Sequence, residues 1–579
     1  MFRFTYSVVL SILASVAGCA SSGRPPAASV PPPPVRSGQT LDAQHGVVVS
    51  VCRIASTVGA NVLRDGGNAV DAAVATAFAL AVTWPEAGNI GGGGFMMVGE
   101  PSRVGQPAVH FIDYRETGPA EVKADTFAGK PTSHQLAGTP GTVRGLFTAH
   151  QTYGTKRFAW KDLVLPAAKI AEEGFVVDAA LAASLNSGLA RSEAFPEFRR
   201  VYGKVDGSAW KAGDRLTLPD LAATLHAIAE RGPGEFYEGE TASRIVAEMQ
   251  SGGGLISAGD LKNYRARLRE PIVGTFKGYT IFAPPPPSSG GIALLQMLNM
   301  FETLDLRADQ RWSASTVHTI VEAMRRAFAD RARYLGDPDY GTVPVAELVS
   351  KDHARQLAST IDPLKATSSE QVAPWAQLSE TGGQTTHFSV VDVNGLAVSN
   401  TYTLEQSFGG KVVVRRAGFL LNNELGDFNP RPGQTNRNGQ IGTPPNLAAG
   451  GKRPLSSMTP VIIARNGKIV LVTGSPGGRT IINTVTQVVV NRLAFGMSLR
   501  QAVDAPRLHH QWLPDGIRVE RSLAEQHLQT LEGLKAMGHA IDATMPSRQG
   551  DAHSIEIDPA TGRLTGVADK RIGGSAAGY

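Results

Sequence analysis

Cysteine is nearly absent: Cys19 and Cys52 are the two in 579 residues. That excludes a disulfide scaffold and a cysteine-based zinc module. Lys and Arg number 56 against 51 Asp and Glu, a formal charge of +5, and they form no basic run, so nucleic acid is not an expected partner. The almost wholly apolar stretch 69–82 is too short to cross a bilayer and contains Asp71. Histidines show no ligand spacing, the pair His509-His510 included, and no metal or organic cofactor is expected. What the chain does have is glycine, 64 residues, with 42% hydrophobic residues. That composition fits a large core crossed by many tight turns.

The N-terminus reads as an address. Arg3 followed by the short apolar stretch 6–16 is the pattern of a signal peptide, assigned to residues 1–18. It ends in Val16-Ala17-Gly18-Cys19, which resembles the lipobox of bacterial lipoproteins and implies that Cys19 becomes the lipidated first residue. Residues 19–40, with Pro25-Pro26 and a proline run from Pro31 to Pro34, read as a tether, and the fold is expected to begin near Leu41. The expected location is the periplasm or cell envelope, and Ala20 rather than Asp after the cysteine points to the outer membrane. Cys52, alone in an oxidising compartment, is expected to be a buried free thiol.

From Val47 onward, short apolar strands, glycine turns and apolar helices alternate without an internal repeat of about 20–50 residues, an α/β or α+β pattern. Asn68 stands where an N-cap belongs, with Asp71 three residues on, so 69–82 reads as a buried core helix. Gly91-Gly92-Gly93-Gly94 leads into a strand at 95–98 and is no Walker-type cradle, because no Lys-Ser/Thr follows. Helical spacing marks 161–174, 218–231, 292–300 and 316–335. A polar stretch, 366–383, reads as an exposed linker. Strands are expected after it at 387–391, 396–403, 411–415, 460–464 and 469–473.

Residues 384–398 alternate and turn at Asn394-Gly395, a hairpin signal. A two-residue loop pairs Val393 with Leu396, sets Thr385 opposite Leu404 and leaves Thr403 diagonal to it. Two threonine hydroxyls then converge at the open end of one hairpin, although threonine suits any strand.

The run Gln384-Thr385-Thr386-His387-Phe388-Ser389-Val390-Val391-Asp392 resembles the autoprocessing site of the gamma-glutamyltranspeptidases, members of the N-terminal nucleophile hydrolases. The likeness continues in the family's order through Gly67-Asn68-Ala69-Val70-Asp71, Asp113-Tyr114-Arg115-Glu116, Pro140-Gly141-Thr142-Val143, Leu335-Gly336-Asp337-Pro338, Arg453-Pro454-Leu455-Ser456-Ser457-Met458 and Gly474-Ser475-Pro476-Gly477-Gly478. The resemblance implies an α+β fold, a four-layer αββα sandwich. It implies self-cleavage between Gln384 and Thr385 into a large chain, 41–384, and a small chain, 385–579, which stay together as a heterodimer. An N-terminal threonine carries its own base, an α-amine titrating near ~7.7–8.0. Thr403 would orient its hydroxyl.

By the same resemblance the donor is glutathione or another γ-glutamyl compound, and the acceptor is water, an amino acid or a dipeptide. Arg115 would grip the donor's α-carboxylate with Ser456 and Ser457, as its planar fork suits. Glu405, Glu424 and Asp427 would surround the α-amine, and Gly477 and Gly478 would offer N–H groups to the oxyanion. Residues 429–451 match the family's lid loop, with Asn438 where many members place a tyrosine, so a looser lid and more hydrolysis than transfer are expected. Cephalosporin and glutaryl acylases share the nucleophile and are the alternative activity. An inactive, tethered binding lipoprotein is an alternative of another class, opposed by the retention of Thr385, Thr403, Arg115 and both glycines.

Overall fold

A computed structural model describes Met1 and residues 33–102, 104–304, 306, 308–373, 385–428, 443–542 and 549–579. Cys19, Gln384 and Asn438 lie outside the described residues. The chain divides into a short N-terminal unit, Met1–Pro34, and a main body, Val35–Tyr579, and all that follows concerns the main body.

Its centre is a pair of antiparallel sheets. Among the described residues the first runs in the order Arg36–Gly38, Ser575–Gly578, Gly46–Ser50, Thr386–Asp392, Ala397–Thr403, Gly93–Glu100, Ala108–Asp113, Arg267–Arg269. The second runs Thr40–Ala43, Leu564–Ala568, His553–Ile557, Lys468–Thr473, Val461–Arg465, Tyr279–Ala283, Ile272–Phe276. Strands from before and after Thr385 thus interleave, and Thr386–Asp392 hydrogen-bonds to Gly46–Ser50 on one side and Ala397–Thr403 on the other. The expected change to a strand-rich second part describes the order along the chain, not a separate body.

The strand Gly46–Ser50 shows why its sequence is a run of valines rather than an alternation. Val48 belongs to the core that holds the helix Ala69–Thr83, while Val47 and Val49 belong to the core that holds Ile462 and Ile555 of the second sheet. Both faces are dry, so both need apolar side chains. The helices Arg53–Arg64 and Ala69–Thr83 cover the outer face of the first sheet, and Gly290–Thr303, Ala314–Tyr334 and Thr480–Leu493 cover the second. The layers are αββα, as the family resemblance implies.

Every residue of Ala69–Thr83 is buried, which accounts for a helix apolar all round. It starts as expected: the Asn68 side-chain oxygen accepts from Val70 N and Asp71 N, both at 3.0 Å, and Asp71 returns a bond from Asn68 N at 3.2 Å. The other expected helices are Trp160–Glu173, Pro219–Arg231, Gly290–Thr303 and Ala314–Tyr334. Cys52 is buried and free.

Three expectations are corrected. Residues 411–415 form no strand: Val413 makes one bridge, to Leu420, because left-handed residues at Lys411 (φ 57°) and Arg416 (φ 62°) break the pleat at both ends. The described part of the linker is docked, with Ala366 N donating to Met537 O at 2.8 Å and Trp512 Nε1 to Ser369 O at 2.8 Å. Ser369 is buried and bonded to Trp512 and Arg325, while Ser368, Glu370 and Gln371 stay exposed. The order begins before Leu41, since Arg36–Gly38 pairs with residues 576–578.

Candidate active site

The hairpin turns through three residues, not two. Val391 pairs with Ala397 and Thr386 with Tyr402, and Val393-Asn394-Gly395 is closed by Asp392 N to Leu396 O and Gly395 N to Asp392 O, both at 3.1 Å. Gly395 is left-handed (φ 80°), the loop type that ends in a glycine bulge. Asp392 selects it. One carboxylate oxygen accepts from Asn394 N at 2.8 Å and Leu396 N at 3.1 Å, the other from Ala69 N at 3.0 Å. Continued one step past Thr386 and Tyr402, this register sets Thr385 directly across from Thr403 rather than Leu404, with both side chains on one face.

Thr385 and Thr403 open into a pocket lined also by Arg115, Glu405, Glu424, Asp427, Ser456, Ser457 and Gly478, and by Arg331 and Arg479. Gly477 sits one residue behind Gly478. The space left among these side chains is small, about 30 Å³. The tetraglycine explains the close approach: a Cβ on Gly92 would lie 2.0 Å from Thr403 O. That carbonyl accepts from Asn89 Nδ2 at 2.9 Å, and Thr403 Oγ1 accepts from Glu405 N at 2.8 Å. Glu405 is left-handed (φ 76°), a strained state for a non-glycine residue, and Asn423 Nδ2 holds its carboxylate.

Arg115 follows the strand Ala108–Asp113 and is 1% exposed. It donates through Nη1 to Glu424, through Nη2 to Asp427 at 2.7 Å and through Nε to Pro454 O at 3.2 Å, with Glu116 at 3.7 Å. Carboxylates grouped in this way repel one another unless a cation sits among them, and Arg115 is such a cation. Burial alone would lower the Arg115 pKa, but Glu424, Glu116 and Asp427 outweigh it and hold the guanidinium above its ordinary value. Burial pushes Glu424 and Glu405 well above the usual carboxylate range, and Glu116 up to about 7, with Arg115 opposing each rise.

Ser456 is held by Pro286-Pro287-Ser288-Ser289: its N–H donates to Pro287 O at 2.9 Å and its carbonyl accepts from Ser289 N at 2.8 Å. Gly477 (φ 131°) and Gly478 (φ 57°) precede the helix Thr480–Leu493, whose Thr480 N and Ile481 N bond back to their carbonyls. A helix N-terminus presents backbone N–H groups and suits a developing anion.

Arg331 and Arg479 were not singled out from sequence. Arg331 falls on the apolar stripe of its helix, three residues after Phe328 and four before Leu335, and an arginine in that position is the signal that could have found it. Arg479 directly follows the two glycines. One group of potential metal donors occurs among the described residues, His318, Glu322 and His539. It is not part of the pocket lining. Its histidines bond each other at 2.8 Å and Glu322 pairs with Arg325 and Arg326, so its charge is met without an ion.

Residues 55–579 match the family model described as Gamma-glutamyltranspeptidase. The chain is 43% identical over 598 aligned positions to the glutathione hydrolase proenzyme of Escherichia coli (strain K12), with 100% of each covered. A cephalosporin acylase from Bacillus halodurans superposes with a TM-score of 0.81 at 26% identity, over 95% of this chain and 98% of that one. The gamma-glutamyltranspeptidase from Pseudomonas nitroreducens in complex with L-DON is 39% identical with a TM-score of 0.52, over 56% of this chain and 96% of the solved one. The chain belongs to the gamma-glutamyltranspeptidase family.

Proposed function

We propose that the protein cuts itself between Gln384 and Thr385 and then moves γ-glutamyl groups from glutathione or related compounds to water, amino acids or dipeptides. The observation that carries this reading is Thr385 facing Thr403 at the mouth of a pocket that holds Arg115, Glu424, Asp427 and the Ser456-Ser457 pair. A relative 43% identical over the full chain bears the name glutathione hydrolase proenzyme.

In the first step Thr385 Oγ attacks the Gln384 carbonyl, the peptide C–N bond breaks, and the ester formed is hydrolysed to leave a Gln384 carboxylate and a free Thr385 amine. In turnover that amine takes the hydroxyl proton as Oγ attacks the donor's γ-carbonyl. Negative charge gathers on the carbonyl oxygen beside the Gly477 and Gly478 N–H groups. The amine leaving group departs with a proton, and water or an acceptor amine resolves the γ-glutamyl ester. Arg115, Ser456 and Ser457 receive the α-carboxylate. Glu405, Glu424 and Asp427 receive the α-ammonium, whose charge favours their ionised forms against burial.

A cephalosporin or glutaryl acylase is the second reading, favoured by the TM-score of 0.81 to a cephalosporin acylase. The two readings are told apart by whether Arg115 and Ser456 are needed for activity. The exported, lipid-anchored form, in the periplasm and held at the outer membrane, rests on Val16-Ala17-Gly18-Cys19 and the proline-rich residues after it.

The test is denaturing electrophoresis beside a γ-glutamyl-p-nitroanilide assay with and without glycylglycine. Active protein gives two bands, and Thr385→Ala gives one inactive band. Nitroaniline release by an uncut chain would overturn the scheme. With Asn438 in the lid loop, hydrolysis should exceed transfer at neutral pH, and the reverse ratio would refute the looser lid.

A further inference from the structure

Arg331 is 6% exposed and lines the catalytic pocket, yet no carboxylate lies within ion-pair distance of it among the described residues. Its Nε donates to Ser289 Oγ at 2.8 Å and its Nη2 to Ser457 Oγ at 3.1 Å, and Nη1 has no hydrogen-bond partner there. Burial, reinforced by Arg479 and opposed by the more distant Asp427 carboxylate, pushes its pKa down to about 9, which still leaves it charged at neutral pH. Arg115 is already paired with carboxylates, donating to Glu424 and Asp427 as well as to Pro454 O and Leu455 O.

The neighbouring hydroxyls sharpen the contrast. Serine has one proton to give, and Ser457 Oγ, by accepting from Arg331, turns that proton away from the guanidinium. Among the described residues no acceptor takes it. Ser456 Oγ likewise accepts from Met458 N at 3.1 Å, and its own proton has no described acceptor. Two hydroxyl protons and one guanidinium edge are therefore left without acceptors on one side of the pocket. A planar anion is the chemical group that satisfies all three.

We infer that Arg331 is a positioning residue of the carboxylate subsite: it turns the Ser457 hydroxyl toward the donor's α-carboxylate and places a second positive charge behind it. The inference rests on the proposed γ-glutamyl chemistry and adds a residue to it.

The test uses the mature enzyme and two donors, γ-glutamyl-p-nitroanilide and its analogue with an α-carboxamide in place of the carboxylate. Arg331→Met should raise KM for the first by about tenfold or more, the scale of a hydrogen bond to a charged group, with kcat nearly unchanged. KM for the uncharged analogue should stay where it is. Arg331→Lys, which keeps the charge but loses the fork, should recover part of the loss. Ser457→Ala should show the same donor discrimination, and Arg331→Lys combined with Ser457→Ala should cost less than the sum of the two. These two variants carry the test if Arg331→Met does not fold. Equal KM rises on both donors, a fall in kcat alone, or additive double-variant losses would overturn the inference and leave the proposed function standing. A wild-type enzyme that cleaves neither donor would overturn both.

Discussion

Arg115→Met asks whether one guanidinium carries the charge balance of the whole pocket. Glu116 is fully buried and Glu424 1% exposed, and methionine fills much of the arginine's space without its charge. In the native protein burial raises Glu116 to about 7 while Arg115 pulls it down, and Glu424 follows the same logic. Without Arg115 both carboxyls rise further. A carboxyl whose folded pKa exceeds its unfolded value of ~4.3 contributes fully below that value, and the contribution is lost as pH rises to the folded pKa. For native Glu116 the loss ends near 7, whereas in the variant it continues. The two proteins should therefore differ little below about pH 6 and diverge above about pH 7, by ~1.4 kcal/mol per pH unit for each carboxyl that stays protonated. Between about pH 7 and pH 8.5 Glu116 alone gives about 2 kcal/mol. At ~2.1 cal/mol/K of unfolding entropy per residue, that is a fall in Tm of roughly 2 °C for a chain of this length, doubled if Glu424 behaves alike. Calorimetry of both proteins across that pH range reads it. A Tm gap independent of pH, or one largest in acid, would show that the carboxyls do not depend on Arg115 and would refute the reasoning.

Gly477→Ala should fold and bind donor but lose about 10²–10³ in kcat, because φ 131° is closed to alanine and a Cβ there would lie 2.4 Å from Thr480 Oγ1, forcing the N–H groups off the oxyanion. Near-native kcat with the Gly477 and Gly478 N–H groups displaced would remove the oxyanion role. Cys19→Ala, expressed with its signal peptide, should leave the detergent phase for the aqueous phase in a detergent partition and take up no labelled fatty acid. Partition identical to the wild type would dispose of the lipid anchor.

Local signals were legible from the chain and non-local ones were not. The Asn68–Asp71 capping box closes within four residues, and it was readable as such. The site residues came from motifs, and the pocket brings them together, but their partners did not follow from spacing: Arg115 meets Glu424 across 309 positions, and Arg331 meets Ser457 across 126. The hairpin shows the limit most clearly. Asn394-Gly395 correctly marks a turn, yet loop length is decided by the Asp392 carboxylate, one oxygen of which is held by Ala69 N at the start of a helix 323 positions away. That bond favours three loop residues over two, and strand pairing has a parity. A two-residue loop would have kept every apolar and polar signal in the segment while setting Leu404, not Thr403, across from Thr385. The pairing of the two threonines thus depends on a contact between the hairpin's closed end and the core helix, far along the strand from the residues it aligns.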